Sequence, residues 1–373
     1  MATTPAYERD QAQITVTVGG QLYRGWLQST VTRDLETIAG TFSIPVALVP
    51  GVWPAINRQD EVQVHIGQTL VLSGYVLAAE PFYTRTECGL RVQGRDRTGD
   101  LVHCTALHQG GQWRNVGLER IARDLLAPYG LGLAVEADLG GPIADFKLGH
   151  GEPVKDALSR AARLRGVLVS SDEKGRVLLT KAGTQRFAGA IIRGQNVIEA
   201  HGVGSDEYRH SQYIVYGQHS VVADFDDARG PKAQATDPDI KRYMPLVINA
   251  DGNTTLAELQ RLAEHTMRVR RGHSLGFRYV VEGWTWKGQA WPVNQRVAIY
   301  DDVMGLDGQD WLITSVTHRC DRREGDVTEL VVRPVEAYDT VPLKSKPRHR
   351  NWGNRGNTTN HGATGPSDGA SGP

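Results

Sequence analysis

Short runs in which apolar residues sit two apart, each closed by glycine or proline, dominate the first hundred residues of this chain. Ile14, Val16 and Val18 alternate with polar neighbours, as do Val62, Val64 and Ile66, and again Cys88, Leu90 and Val92. Alternation at period two buries one face of a strand and wets the other. Gly19-Gly20, Pro50-Gly51 and Gly67 supply turns between the runs, and Thr30, Val31 and Thr32 add β-branched residues suited to a pleated surface. With Gly at 42 and Pro at 17 in 373 residues, composition also favours turn-rich β structure over a helical bundle. The length exceeds one ordinary domain.

The period changes near residue 115. Leu118, Ile121, Ala122, Leu125 and Leu126 fall at helical spacing, and Pro128 and Gly130 stop that helix. A second helix is expected over Pro153–Arg165, with Pro153 in its first turn, Val154, Ala157, Leu158, Ala161 and Ala162 inward, and Gly166 as its stop. Val167–Ser170 and Arg176–Thr180 read as a hairpin around Lys174-Gly175. β character returns at Val197 and Tyr213–Tyr216. Residues 219–245 are polar and read as one long, solvated acidic loop carrying Asp224, Asp226, Asp227, Asp237 and Asp239. Thr255 and Glu258 form a capping box for a third helix, with Leu256, Leu259, Leu262, Ala263 and Met267 on its apolar face and Arg268, Arg270 and Arg271 in its last turn.

Strands follow at Leu275–Glu282, Arg296–Tyr300, Trp311–His318 and Val327–Val332. The last three share a layout with Glu61–Ile66, Leu70–Ala79 and Glu87–Gly94: three strands joined by polar turns. Identity between the stretches is poor, so independent meanders explain the layout as well as an internal repeat does.

Lys plus Arg and Asp plus Glu are 42 each, so the net charge is zero and no general attraction to nucleic acid or anionic membrane follows. No apolar run approaches the roughly 20 residues that span a bilayer, and residues 1–10 lack the pattern of a signal peptide. Three widely spaced cysteines, Cys88, Cys104 and Cys320, give no disulfide framework and fit synthesis in a reducing cytoplasm. Residues 341–373 are rich in Gly and Asn and too polar to build a core alone. Lys344, Lys346, Arg348, Arg350 and Arg355 make this tail basic, with Trp352 among them, which suits an extended arm docked on a partner protein or a contact with nucleic acid equally well.

No catalytic constellation stands out. His103, Cys104 and His108 place a thiol near two bases, but a free cysteine is ordinarily a small hydrophobe. His318 and Cys320 lack further metal ligands nearby, and the aspartates of the acidic loop lack EF-hand spacing. Gly94-Arg95-Asp96-Arg97 reads as a charged turn with local ion pairs. Trp284 and Trp286 alternate in a strand and Trp291 follows; they suit either a sugar platform or a subunit or barrel contact. The expectation is therefore a non-enzyme with no cofactor and no metal.

Residues 94–131 read GRDRTGDLVHCTALHQGGQWRNVGLERIARDLLAPYGL. Gly94, Arg95, Asp96, Thr98, Asp100, Gly110, Gly111, Trp113, Ile121 and Asp124, with Leu118-Glu119 and Ala127-Pro128-Tyr129-Gly130, resemble the signature of baseplate hub proteins of contractile-tailed, Mu-like bacteriophages. Gly25-Trp26, Val31–Gly40, Glu152–Gly166, Ala235-Thr236-Asp237, Arg242-Tyr243, Gly283-Trp284-Thr285 and Trp291-Pro292-Val293 match in the same order, so the resemblance covers about residues 12–340. Gly117 departs from it where a hydroxyl residue is usual, which predicts a weaker helix cap.

The resemblance implies an α+β, mainly β chain. Two β-barrel torus domains (1–104 and 275–340) would flank a small α/β insert (105–194) and a strand, loop and helix segment (195–274), with the tail at 341–373. It implies a homotrimeric, pseudo-sixfold ring in the virion tail baseplate, assembled in the host cytoplasm. That ring would join the sixfold tail tube, or a tube adaptor, to the threefold central spike protein. Baseplate wedge proteins and the tape measure protein are further implied partners, and DNA would only pass through the ring. Two other readings stay open: a tail-associated peptidoglycan hydrolase and a carbohydrate-binding tail module. The first needs a catalytic acid or thiol, and the second needs exposed Trp284 or Trp286.

Overall fold

The computed structural model describes residues 12–23, 28–47, 54–85, 88–217, 231–250, 255–321 and 325–340. Seven strands open the chain: β1 (Ile14–Val18), β2 (Gln21–Tyr23), β3 (Ser29–Asp34), β4 (Thr41–Ala47), β5 (Glu61–Ile66), β6 (Thr69–Tyr83) and β7 (Cys88–Asp96). Most of the alternating residues become one core, in which Val16, Val31, Phe42, Ile44, Val64, Ile66, Leu72 and Val92 are buried together, whereas Cys88 at the start of β7 is exposed. Gly19 and Gly20 adopt positive φ, as the tight β1–β2 turn requires. Gly25-Trp26 and Pro50-Gly51 lie outside the described residues.

A second core follows, built on α1 (Asp100–His103), β8 (Gln112–Val116), α2 (Leu118–Leu126), β9 (Leu133–Val135), β10 (Ile143–Lys147), α3 (Val154–Arg163), β11 (Leu168–Ser171) and β12 (Val177–Thr180). Each apolar residue assigned from helical spacing to α2 and α3 is buried. A short 3-10 turn containing Pro128 ends α2, and Gly130 takes the left-handed conformation at φ 62°. Gly117 caps α2 with no side-chain hydrogen bond, whereas Pro153 caps α3 from an extended position one residue ahead of the first turn.

The chain continues through β13 (Gln185–Ile192), β14 (Val197–Gly202), β15 (Gln212–Tyr216), β16 (Lys232–Thr236), β17 (Pro245–Asn249) and α4 (Leu256–His273). Here the single long loop expected over 219–245 is corrected. β16 and β17 flank β15 in a three-stranded sheet, and Ala233 and Ala235 pack with Leu259 and Ala263 of α4. Alanine alternation is a weak hydrophobic signal, so these strands do not announce themselves. The capping box on Thr255 is present. Leu256 is 59% exposed rather than inward, because it is the first helical residue and lies beyond the sheet. Asp224, Asp226 and Asp227 lie outside the described residues.

The last strands are β18 (Phe277–Glu282), β19 (Thr285–Trp286), β20 (Gln289–Ala290), β21 (Gln295–Asp301), β22 (Leu306–Asp321) and β23 (Gly325–Arg333). They enclose a core of Phe187, Ile191, Tyr279, Trp286, Trp291, Ile299, Ile313 and Leu330. The protein is thus mainly β, with several sheets. The largest has 13 strands: a ladder runs from β14 to β2, with β21 and β13 branching from β22, and the pairing closes neither half on itself among the described residues.

The two three-strand layouts agree at the level of register. β5, β6 and β7 form an antiparallel meander, as do β21, β22 and β23. In each, the long middle strand is bulged twice. The first irregularity falls opposite the Val64/His65 and Ile299/Tyr300 steps, and the second at Val76/Ala78 and Ile313/Ser315. Aligning these bulges superposes β4 on β18, with Phe42 opposite Gly94 and Phe277 opposite Val332. Two coincident bulges specify bends at the same places, so the meanders are built to one plan. Antiparallel pairing of β22 with β3, from Ser315 opposite Asp34 to Cys320 opposite Ser29, joins the two halves.

Candidate functional site

Gly94, Asp96, Thr98 and Asp100 of the signature lie where β7 leads into α1, and Asp96 and Thr98 are bonded there as structural groups. Asp96 is 4% exposed. Its Oδ2 accepts from the Gly40 N–H at 2.8 Å and the Ser171 hydroxyl at 2.7 Å, and its Oδ1 accepts from the Thr98 N–H at 2.9 Å. Thr98 Oγ1 lies 2.6 Å from Asp96 Oδ1 and 2.7 Å from the Ile38 carbonyl, which share its one proton. Burial pushes the Asp96 carboxyl up against these bonds. One carboxylate therefore ties the β3–β4 connection, the start of α1 and the β11 hairpin together.

The charged-turn reading is corrected at this point. Asp96 has no direct ion pair among the described residues, while Arg95 donates to His103 Nε2 at 2.7 Å and Arg97 pairs with Glu61 at 3.0 Å. Gly94 is required by close strand approach, since a Cβ there would overlap the Tyr75 carbonyl and the Phe42 ring. Asp100 stands in the first turn of α1, and Gly110 and Gly111 adopt positive φ in the turn before β8. Trp113 is buried, stacks on His108 at 4.2 Å and donates its indole N–H to Asp124 Oδ2 at 3.0 Å. Burial pushes Asp124 up, but the bonds from Trp113 and Arg120 outweigh it and hold the carboxylate below its ordinary range. Ile121 is fully buried in the same core as Trp113.

The three tryptophans are interior. Trp286 and Trp291 meet edge to face at 6.2 Å in the second β core. Trp284 reaches instead into the first β core, and its indole donates to the Arg319 carbonyl at 3.0 Å. Lys287 and Gly288, at positive φ, make the tight β19–β20 turn that follows Trp286. At 3–5% exposure these rings offer no platform to a sugar and no face to a second subunit. Lys344, Lys346, Arg348, Arg350 and Trp352 lie outside the described residues.

Among the described residues the candidate thiol and histidines do not assemble into a nucleophile–base pair. Cys104 is exposed, and the His103 beside it is engaged by Arg95. His318 is 4% exposed. The Thr328 hydroxyl spends its proton on the Gly283 carbonyl at 2.7 Å, so His318 Nδ1–H is the donor in its 3.2 Å bond to Thr328. Burial, aided by Arg33, pushes His318 down to about 3, so the ring is neutral. No cluster of three His, Cys, Asp or Glu able to hold a metal occurs among the described residues. No described helix is long and apolar enough to cross a membrane.

One charged cluster escaped the sequence reading. Arg209 is buried, and its guanidinium donates to both Asp237 oxygens at 3.0 Å and to Asp206 and Asp239 at 2.9 Å; Asp239 also pairs with Arg271 of α4 at 2.9 Å. Asp237 and Asp239 are thus a clamp between the three-stranded sheet and α4, not a solvated loop. Asp206 is three residues from Arg209, but Asp237 and Asp239 are 28 and 30 residues away, so the cluster gives no sequence signal.

The chain is 32% identical to the baseplate hub protein gp44 of Escherichia phage Mu over 351 residues, covering 91% of this chain and 92% of that one. It belongs to the family of Mu-like phage baseplate hub proteins. The hub chain is accordingly a structural component of the virion tail baseplate. Residues 98–181 match the family model for the second domain of gp44-like baseplate hub proteins, and residues 13–96 match the N-terminal model of Mu GpP-like baseplate assembly proteins. Among solved structures, the hub chain is similar to the 43 kDa tail protein of prophage MuSo2 from Shewanella oneidensis. The identity is 30% and the TM-score 0.78, covering 88% of this chain and 99% of that one. A tail protein from Neisseria meningitidis MC58 shares the fold at 20% identity and TM-score 0.75, over 88% and 99% of the two chains.

Proposed function

We propose that three copies of the hub chain close into a ring of six related β units and that this ring adapts the sixfold tail tube to the threefold central spike. The repeated register of the β5–β7 and β21–β23 meanders supports the reading most directly. One chain with two units of one plan lets a threefold assembly offer six nearly equivalent surfaces. Each meander, with its companion strands, corresponds to one barrel-like torus unit, over residues 1–104 and 275–340. The α2–α3 insert (105–194) and the β15–β17/α4 segment (195–274) occur once per chain, so they break the sixfold pattern and present threefold surfaces. Wedge and tape measure proteins are the remaining protein partners in this reading, and a neutral chain lets DNA pass without phosphate capture. The hub acts by geometry rather than by turnover, a role served by a signature whose polar groups bond to one another.

The absolute mass in solution, read by light scattering over a concentration series, tests this. A stable species of three chains is expected. A monomer at every concentration would count against self-assembly.

A further inference from the structure

Aligning the bulges of the two meanders shows one joint made inside the chain and its counterpart left open. The C-terminal half of β22 has β23 on one side and β3 on the other. The C-terminal half of β6 has β7 on one side, and among the described residues no strand pairs with its other side beyond Val76. In the second half of the chain, the strand that holds the place of β3 is β14. β3 pairs with β4, and β14 pairs with β18, the counterpart of β4. β14 ends the ladder, and among the described residues no strand pairs with its outer edge.

We infer that the open edge of β6, Ala78–Tyr83, pairs antiparallel with the open edge formed by β14 and residues 203–205 of a second copy of this chain, repeating the β3–β22 joint between molecules. The alignment fixes the register. Thr317 opposite Thr32 becomes Glu80 opposite Val203, and Arg319 opposite Thr30 becomes Phe82 opposite His201.

Exposure supports the pairing independently. At the internal joint Val31, Thr314, Val316 and His318 are buried. By the same alignment buried Thr314 corresponds to Leu77, which is 53% exposed, and Tyr83 at 86%, Ile198 at 57% and Val203 at 39% lie along the same two open edges. Long apolar edges are normally blunted or covered in native proteins. Pro81 gives no N–H and thins the edge at one position, which discourages chance pairing but leaves its other backbone groups available. Each copy carries one edge of each kind, so the contact is head to tail and can close into a ring. Closure at three copies rests on the proposed trimer.

The test is a disulfide between Glu80→Cys and Val203→Cys in full-length chain carrying Cys88→Ser and Cys104→Ser, which removes the two exposed native thiols. In the internal counterpart, the Thr32 and Thr317 hydroxyl oxygens are 3.1 Å apart, so facing cysteines at this position meet. Oxidation is expected to give covalently linked species up to three chains on a non-reducing gel, and neither single variant should. A three-chain mass by light scattering with no cross-link would overturn the edge pairing and leave the trimer standing. A single-chain mass throughout would overturn both. Leu77→Arg is expected to weaken association about tenfold with an unchanged thermal melt of the single chain, and unchanged association would contradict the inference.

Discussion

Asp96 shows how one residue reads differently alone and in place. In sequence it sits among arginines and suggests ion pairs. In the fold its oxygens accept from Gly40, Thr98 and Ser171, groups up to 75 residues away. Asp96→Ala would strand buried donors with nothing to bond, at about 1–3 kcal/mol for such a group. A lower denaturant midpoint at unchanged slope is the expected result, and an unmoved midpoint would refute the bonding role. Local spacing could not reveal this because the acceptor is local and two of its donors are not. Trp113 and Asp124 were likewise legible as motif residues, while their mutual hydrogen bond was not.

Elements were legible where burial has a strong period. The stripe of α2 appears in the sequence residue for residue, since Leu118, Ile121, Ala122, Leu125 and Leu126 are all buried. Leu125 is 1% exposed in the second core. Leu125→Ala should therefore cost about 2–5 kcal/mol, read as a lower melting temperature, and a melt within error of the parent would disprove the assigned face. β16 was missed because its inward residues are alanines packed on α4. The arginine clamp was missed because Arg209 and Asp237 are 28 residues apart and meet only after the sheet forms.

At the scale of the whole molecule, the joint between the halves carries a titratable group. His318 of β22 lies opposite Val31 of β3 and is held neutral, its pKa pushed down to about 3 from an ordinary 6.5. A depressed histidine favours folding most above its ordinary pKa. That contribution is lost as pH falls from about 6.5 towards 3, by up to about 1.4 kcal/mol per pH unit. Denaturant unfolding at pH 7, 5.5 and 4.5 is expected to show this loss, and His318→Gln is expected to flatten it. Equal slopes in parent and variant would place the acid sensitivity elsewhere. The tryptophans belong to this scale as well. Alternation would put Trp284 and Trp286 on one face, but Trp284 lies just before β19 and packs in the first β core while Trp286 packs in the second, so both are interior.

The sequence by itself determined the strand-rich class, the two amphipathic helices of the insert, the capped third helix and the signature that marks the family. Each depends on neighbours within a few residues, whose spacing sets which face is buried. Only the tertiary structure decided that Asp96 is a bonded hub, that Arg209 is clamped and that the two meanders share both bulges. It also decided that β22 joins the halves through β3 while, among the described residues, β6 and β14 keep open edges. Those features depend on register and on contacts across hundreds of residues, and a one-dimensional period carries no record of them.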